Sequence, residues 1–292
     1  MNIVRVGVSS LCAVILAVAL LGLGISGTAS SMVLDSTFIR SELQRTDAYL
    51  LLFEEARERI PSELSFLLPI IDEAEADLEP WAREQVTHVV LAGHAYVTES
   101  KEFDAVVSLR EAKSYLMTRL QSMMANGLPE GFPEVPSSHE EAFLDLIERE
   151  VDARLPARLV VDETVVGDEF MMELRKARRY AGYATTGLWV LPIVAIVMIL
   201  VIAFVQTWRG GLISAYAGAA FIASGAASVI LTFATRQLAP GLLGVAVPAV
   251  VEPVIPGFVY RVTGPLLLYG VISLAIGVAL VIVAYRLLRS KA

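Results

Sequence analysis

The sequence predicts a mainly α fold: four transmembrane helices, with a large helical extracytoplasmic domain inserted after the first and a minimal β-ribbon at most. Three observations carry that expectation. The chain of 292 residues is 55% hydrophobic with a mean hydropathy of +0.63, too apolar for an ordinary soluble domain of its size. Four stretches, residues 6–25, 188–205, 212–233 and 262–285, have no charge or histidine in their interiors, and roughly 20 such residues suffice to cross ~30 Å of hydrocarbon. Charge is also segregated. Residues 27–186 hold 30 acidic and 16 basic side chains, whereas the rest of the chain holds 1 and 7. An acidic, water-facing body is thus set into a slightly basic membrane part. Such a surface excludes nucleic acid as a partner, because phosphate neutralisation needs clustered Lys and Arg.

Residues 1–26 form the first span, read as an uncleaved signal anchor. Gly27-Thr28-Ala29 offers a cleavage site, but the apolar run exceeds the roughly 7–15 residues of a signal peptide, and both readings export the acidic domain. Cys12, the only cysteine, sits among Leu, Val and Ala and packs as a small apolar residue, so disulfides and four-thiolate metal sites are excluded.

The acidic domain, residues 27–186, reads mostly as helix. Ser36 caps a helix with Phe38, Ile39, Leu43, Tyr49, Leu50 and Phe53 near one stripe, closed by Pro61. A second helix begins at Pro80, a residue suited to a first helical turn, and carries Trp81, Val86, Val89, Val90 and Tyr96. "SLRE", Ser108 to Glu111, has capping-box spacing, and Asn126-Gly127 is a stop signal. The Pro-rich "LPEGFPEVPSS" is a loop, and "SHEE" (Ser138 to Glu141) opens another helix. "FDAVVSL" and "RLVVDE" are strand-like and pair as a ribbon. From Asp168 a helix runs through the basic cluster into the second span, joining domain and membrane rigidly, with Pro192 as a kink or a start.

Residues 187–292 form the membrane domain. In its second helix Gly211, Ala215, Ala219, Ala223 and Ala227 recur at every fourth position, with Gly218, Ser224, Gly225 and Ser228 nearby. The last span adds Ser273 and Gly277. Small side chains let helix backbones approach, and packing is the main attraction between helices in lipid. The partner helix is in the same chain or in a second copy. Residues 235–261 contain Pro240, Pro248, Pro253 and Pro256, a density no helix runs through, and are expected as an apolar external loop. The alternative is a re-entrant segment in which Glu252 would be the first pore or site candidate.

Orientation is read from flanking charge. Arg5 and the amino terminus precede the first helix, and the short flanks "TWRGG" and "YRLLRSKA" hold Arg209, Arg286, Arg289 and Lys291, so this side is cytoplasmic. Arg175, Lys176, Arg178 and Arg179 then lie outside at headgroup level, with stems along apolar surface and lipid headgroups as candidate ligands.

Chemistry-bearing motifs are few. Glu84 and His88 are one helical turn apart and offer two metal ligands, but "HVVLAGH" supplies no third at a recognisable spacing, so His88 and His94 read as helix-surface residues. The acidic runs lack calcium-loop spacing, and no nucleophile elbow, phosphate loop or nucleotide fingerprint is present. The expectation is therefore no cofactor, no metal and no catalytic residue. Charge-free spans without an inverted repeat disfavour ion-coupled transport. The sequence points to a scaffold, interaction or sensor/assembly protein of the cell envelope, in contact with membrane lipids and with a protein partner or another copy of itself. An oligomeric channel or transport-associated subunit is the alternative.

"LDSTFIRSELQRTDAY" after an export segment, "WAREQV", "FDAVVSLREAKSYL" and three closing spans together resemble a group of uncharacterised prokaryotic four-span membrane proteins. The resemblance covers most of the chain. It implies a helical extracytoplasmic domain between the first and second spans, and no activity.

Overall fold

The computed structural model describes residues 3–45, 49–50, 53, 68–99, 101–126, 145, 149, 157–162, 167–244 and 255–290. The expectations for Pro61, the Pro-rich loop, "SHEE" and Glu252 lie outside them. The described elements are α1 (Ile3–Thr28), α2 (Ser36–Arg45), α3 (Leu68–Asp77), α4 (Glu79–Glu99), β1 (Asp104–Ser108), α5 (Arg110–Asn126), β2 (Arg158–Asp162), α6 (Asp168–Val205), α7 (Gly210–Gly244) and α8 (Ile255–Arg289). Among the described residues four helices, α1, α6, α7 and α8, are long and apolar enough to cross a membrane. The chain divides into two compact units, Met1–Phe38 with Ala177–Ala292, and Ile39–Lys176.

In the membrane unit all four helices outrun the charge-free stretches. The 235–261 loop needs correcting, since α7 continues to Gly244 and α8 begins at Ile255. Two of the four prolines explain the tolerance. Pro256 falls in the first turn of α8, where a backbone N–H has no intrahelical acceptor, and Pro240, in the last turns of α7, costs the one bond to Arg236 O. Pro192 and Pro265 lie inside α6 and α8. After α1 the chain continues through Ala29–Val33, and the Leu34 N–H bonds to Ala29 O at 3.0 Å.

The core of this unit is built from Leu16 and Leu20 of α1, Ala195 of α6 and Ala220 of α7, with Met198, Ile199 and Phe221 against them. Several polar side chains buried here bond internally, as an apolar solvent favours, whereas Ser224 Oγ makes no hydrogen bond among the described residues. Ser228 and Thr232 donate to the carbonyls of Ser224 and Ser228, four residues back, at 3.0 and 2.9 Å. The Tyr269 hydroxyl donates to Leu20 O at 2.7 Å. Gln206 Nε2, at the end of α6, donates to Ser9 Oγ of α1 at 2.8 Å, and both residues are buried. Replacing Ser9 with Ala strands the Gln206 amide, and a loss of about 1 kcal/mol is expected. In a double-mutant cycle read by detergent-induced unfolding, adding Gln206→Leu to Ser9→Ala should cost less than the two single losses together.

In the second unit β1 and β2 pair antiparallel, Asp104 opposite Asp162 and Ser108 opposite Arg158, so the expected ribbon is present. Phe103, Tyr96 of α4 and Met171 of α6 form its core, with Ala92, Val97, Val161 and Leu174 around them. α4 begins at Glu79 with Pro80 in its first turn, as the sequence predicts, and α5 is described as far as Asn126, with Gly127 outside the described residues. Two caps differ. Asp35, not Ser36, caps α2, its Oδ1 accepting from Thr37 N at 2.8 Å. Ser108 does not cap α5, because α4 holds its backbone: Trp81 Nε1 donates to Ser108 O at 2.8 Å, and Ser108 N donates to Gln85 Oε1 at 2.9 Å.

Candidate functional site

The small residues of the membrane unit divide between two faces. Gly211, Gly218 and Gly225 of α7 lie two turns apart and so share one face. They meet α8 where it is narrowest. A Cβ built on Gly218 would lie 2.9 Å from Gly277 O, and one on Gly225 would lie 2.7 Å from Gly270 O. Gly277 and Gly270 return the contact, at 2.9 Å from Gly218 O and 3.0 Å from Gly225 O. Gly211 faces Leu288 at 3.0 Å and Ala284 O at 3.4 Å. The two helices therefore run antiparallel with backbone on backbone, and Ser273 Oγ fixes the register by donating to Phe221 O at 3.0 Å. Sequence reasoning does not find Gly270. The signal that finds it is a seven-residue glycine spacing on both helices, not the every-fourth-residue alanine stripe.

The alanines serve the other face. Ala219, Ala223 and Ala227, with Ala13 and Ala17 of α1, line an open apolar groove of about 380 Å³ between α1 and α7. Ala219 and Ala223 are exposed and Ala215 is half-buried. Along that stripe no side chain extends beyond Cβ, so another helix could bring its backbone close to the groove floor.

Charge is arranged by ends. The Ser9–Gln206 bond sets the start of α1 beside the end of α6, and Gly210 and Gly211 set the start of α7 against Leu287 and Leu288 at the end of α8. Arg5, Arg209, Arg286 and Arg289 consequently share one end of this unit. At the other end Arg236 Nε donates to Thr263 Oγ1 at 2.9 Å, and its guanidinium stands over the Tyr260 ring, 4.5 Å from the ring centre. Phe38 meets Phe258 nearby, with 6.3 Å between ring centres. The headgroup candidates lie along α6, with Arg175, Lys176 and Arg179 exposed and Arg178 half-buried; Lys176 pairs with Glu173 at 2.6 Å.

In the second unit His88 Nε2 is 4.0 Å from Glu84 Oε1 and both side chains are exposed. Among the described residues no third His, Cys, Asp or Glu joins them. His94 Nε2 is buried and makes no hydrogen bond among the described residues. α3 and α5 are tied by Arg119 to Glu73 and by the Tyr115 hydroxyl, which donates to Asp77 Oδ2 at 2.9 Å. Burial first, and the Asp77 carboxylate second, raise the Tyr115 phenol above its ordinary pKa. Lys101 bonds to Glu99 and holds that carboxyl below its ordinary range. In comparisons with protein-family models, with curated proteins and with solved structures, nothing matches this chain.

Proposed function

We propose that this multi-pass helical membrane protein is a non-catalytic scaffold, interaction or sensor/assembly component of a cell envelope, with residues 39–176 extracytoplasmic and the carboxyl terminus cytoplasmic, as the resemblance to four-span prokaryotic proteins also implies. The observation that carries the interaction reading is the alanine groove between α1 and α7. It offers an apolar face of small residues where only lipid or another helix fits. The orientation rests on the end that gathers Arg5, Arg209, Arg286 and Arg289, because short basic flanks stay in the cytoplasm while a long domain crosses regardless of its charge. The groove fits self-association through α7, with a partner helix seated against Ala219 and Ala223.

One set of variants tests both parts, in a Cys12→Ala background. On intact cells an impermeant thiol reagent should label Glu102→Cys and spare Ser290→Cys. In native membranes, oxidation should crosslink Ala223→Cys to a second copy or to a partner, and Gly241→Cys should stay uncrosslinked. Reversed labelling would overturn the orientation. A chain that stays monomeric and uncrosslinked while its liposomes conduct ions would replace the scaffold reading with the channel one.

A further inference from the structure

We infer that the groove between the start of α1 and the α6–α7 turn binds the phosphate of an anionic phospholipid, with Arg5 as its counter-charge. The groove, of about 520 Å³, is lined by Val4, Arg5, Val8, Phe204, Val205, Thr207 and Trp208. Its volume lies in the range of small-ligand sites. Its chemistry is amphipathic, with one guanidinium beside a wall of valine and aromatic side chains.

Three features converge on that ligand. First, the guanidinium has no acid to meet. Arg5 makes no ion pair or hydrogen bond with any described residue, and the one described acid of the membrane unit, Asp35, comes after the opposite end of α1. A cation at a bilayer surface without a protein counter-ion takes one from lipid headgroups. Second, the opposite wall is built at a conformational cost. Thr207 and Trp208 both hold left-handed backbone, with φ of 51° and 58°, and for a β-branched threonine that is a true outlier. The turn is pinned by Trp208 N to Ala203 O at 2.9 Å and by the side chain of the adjacent Gln206 on Ser9. Held in this way, Trp208 stands 70% exposed beside the groove instead of packing into the bundle. Third, an indole belongs at the headgroup level, with its ring in the apolar boundary and its N–H toward water. Phosphate on Arg5 and acyl chain against Val4, Val8 and Phe204 would use every part of this wall, whereas free phosphate would use only the guanidinium. The inference rests on membrane embedding alone and holds whichever side residues 39–176 occupy.

The test uses the full-length chain in lipid nanodiscs with Trp208 as the sole tryptophan (W81F, W189F). Quenching of its fluorescence is followed as brominated phosphatidylglycerol or brominated phosphatidylcholine replaces part of the bilayer. Half-quenching should need about fivefold less of the anionic lipid, the preference expected of one basic side chain at the surface. Arg5→Gln should abolish the preference. Arg5→Lys, which keeps the charge that guides insertion, should retain part of it. Native mass spectrometry of the otherwise unaltered chain gives an independent readout: phosphatidylglycerol retained by the parent should be lost in Arg5→Gln. Equal quenching by the two lipids would overturn the site, as would a preference that survives Arg5→Gln. Displacement of the lipid by an equal concentration of inorganic phosphate would show a free-anion site and overturn the lipid assignment.

Discussion

Phe103→Ala should open the second unit. Phe103 is buried at 4% exposure, its ring stands edge-on to Tyr96 with centres 6.5 Å apart, and Met171 beside it is only 1% exposed. Three elements converge on this cluster: α4 through Tyr96, β2 through Val161, and the first turns of α6 through Met171 and Leu174. The ribbon is too small to hold itself together, so its stability comes from this packing. Truncation removes the ring and leaves a cavity that helix and ribbon cannot both close, a change costing about 3–5 kcal/mol. Set against a domain stability of about 5–15 kcal/mol, that is a large fraction. Amide exchange across 79–99 and 104–108 should therefore quicken by at least about a hundredfold, with the membrane helices unaffected. Val160→Ala on the exposed face of β2 is the control and should change little. Exchange that quickens less than about fivefold in Phe103→Ala would place the core of this unit elsewhere.

The ribbon is legible in sequence because its strand-like runs are short, β-branched and close to turn residues. The fate of Ser108 is not, although "SLRE" has the right spacing for a cap. A capping box competes with any other acceptor or donor within reach, and Trp81 and Gln85, more than twenty residues away, reach the Ser108 backbone first. Local pattern lost to a tertiary contact. A different reason governs the membrane helices. Hydropathy marks where lipid solvates a helix, and a helix ends where its backbone bonds run out. α7 reaches Gly244, well beyond its apolar stretch, because helical bonding continues into water as readily as into hydrocarbon, whereas the start of α6 at Asp168 is the one the sequence predicts. Pro240 and Pro256 are accommodated by the helices near their ends, while Pro248 and Pro253 lie outside the described residues. In α7 two periodicities overlap. Alanine at every fourth residue is the more conspicuous, but glycine at every seventh makes the closest contacts, where even one carbon would collide with a neighbouring backbone.

That collision sets the largest effect expected in the membrane unit. A Cβ on Gly225 would lie 2.7 Å from Gly270 O, 2.7 Å from Leu274 N and 2.8 Å from Leu274 Cγ. Two of those atoms are main-chain atoms of a regular helix, so no rotamer change relieves the contact. α8 has to move as a body. Gly225→Val should therefore push α7 and α8 apart, lengthening the Ser273–Phe221 bond and stripping contact from the Gly218–Gly277 pair one repeat away. Overpacking of this kind costs about 1–3 kcal/mol where side chains can yield, and the upper end is expected where backbone must. In lipid no hydrophobic term offsets the loss, because separated helices are solvated by acyl chains as well as by each other. Unfolding of the full chain by SDS in mixed micelles, followed by far-ultraviolet circular dichroism, should show a lower midpoint for Gly225→Val and an intermediate one for Gly225→Ala. Gly241→Val, with nothing within 4 Å of its added carbon, should unfold with the parent. If Gly225→Val also unfolds with the parent, the backbone contact does not hold these helices, and the attraction between α7 and α8 lies in the hydrogen bond from Ser273 to Phe221 O instead.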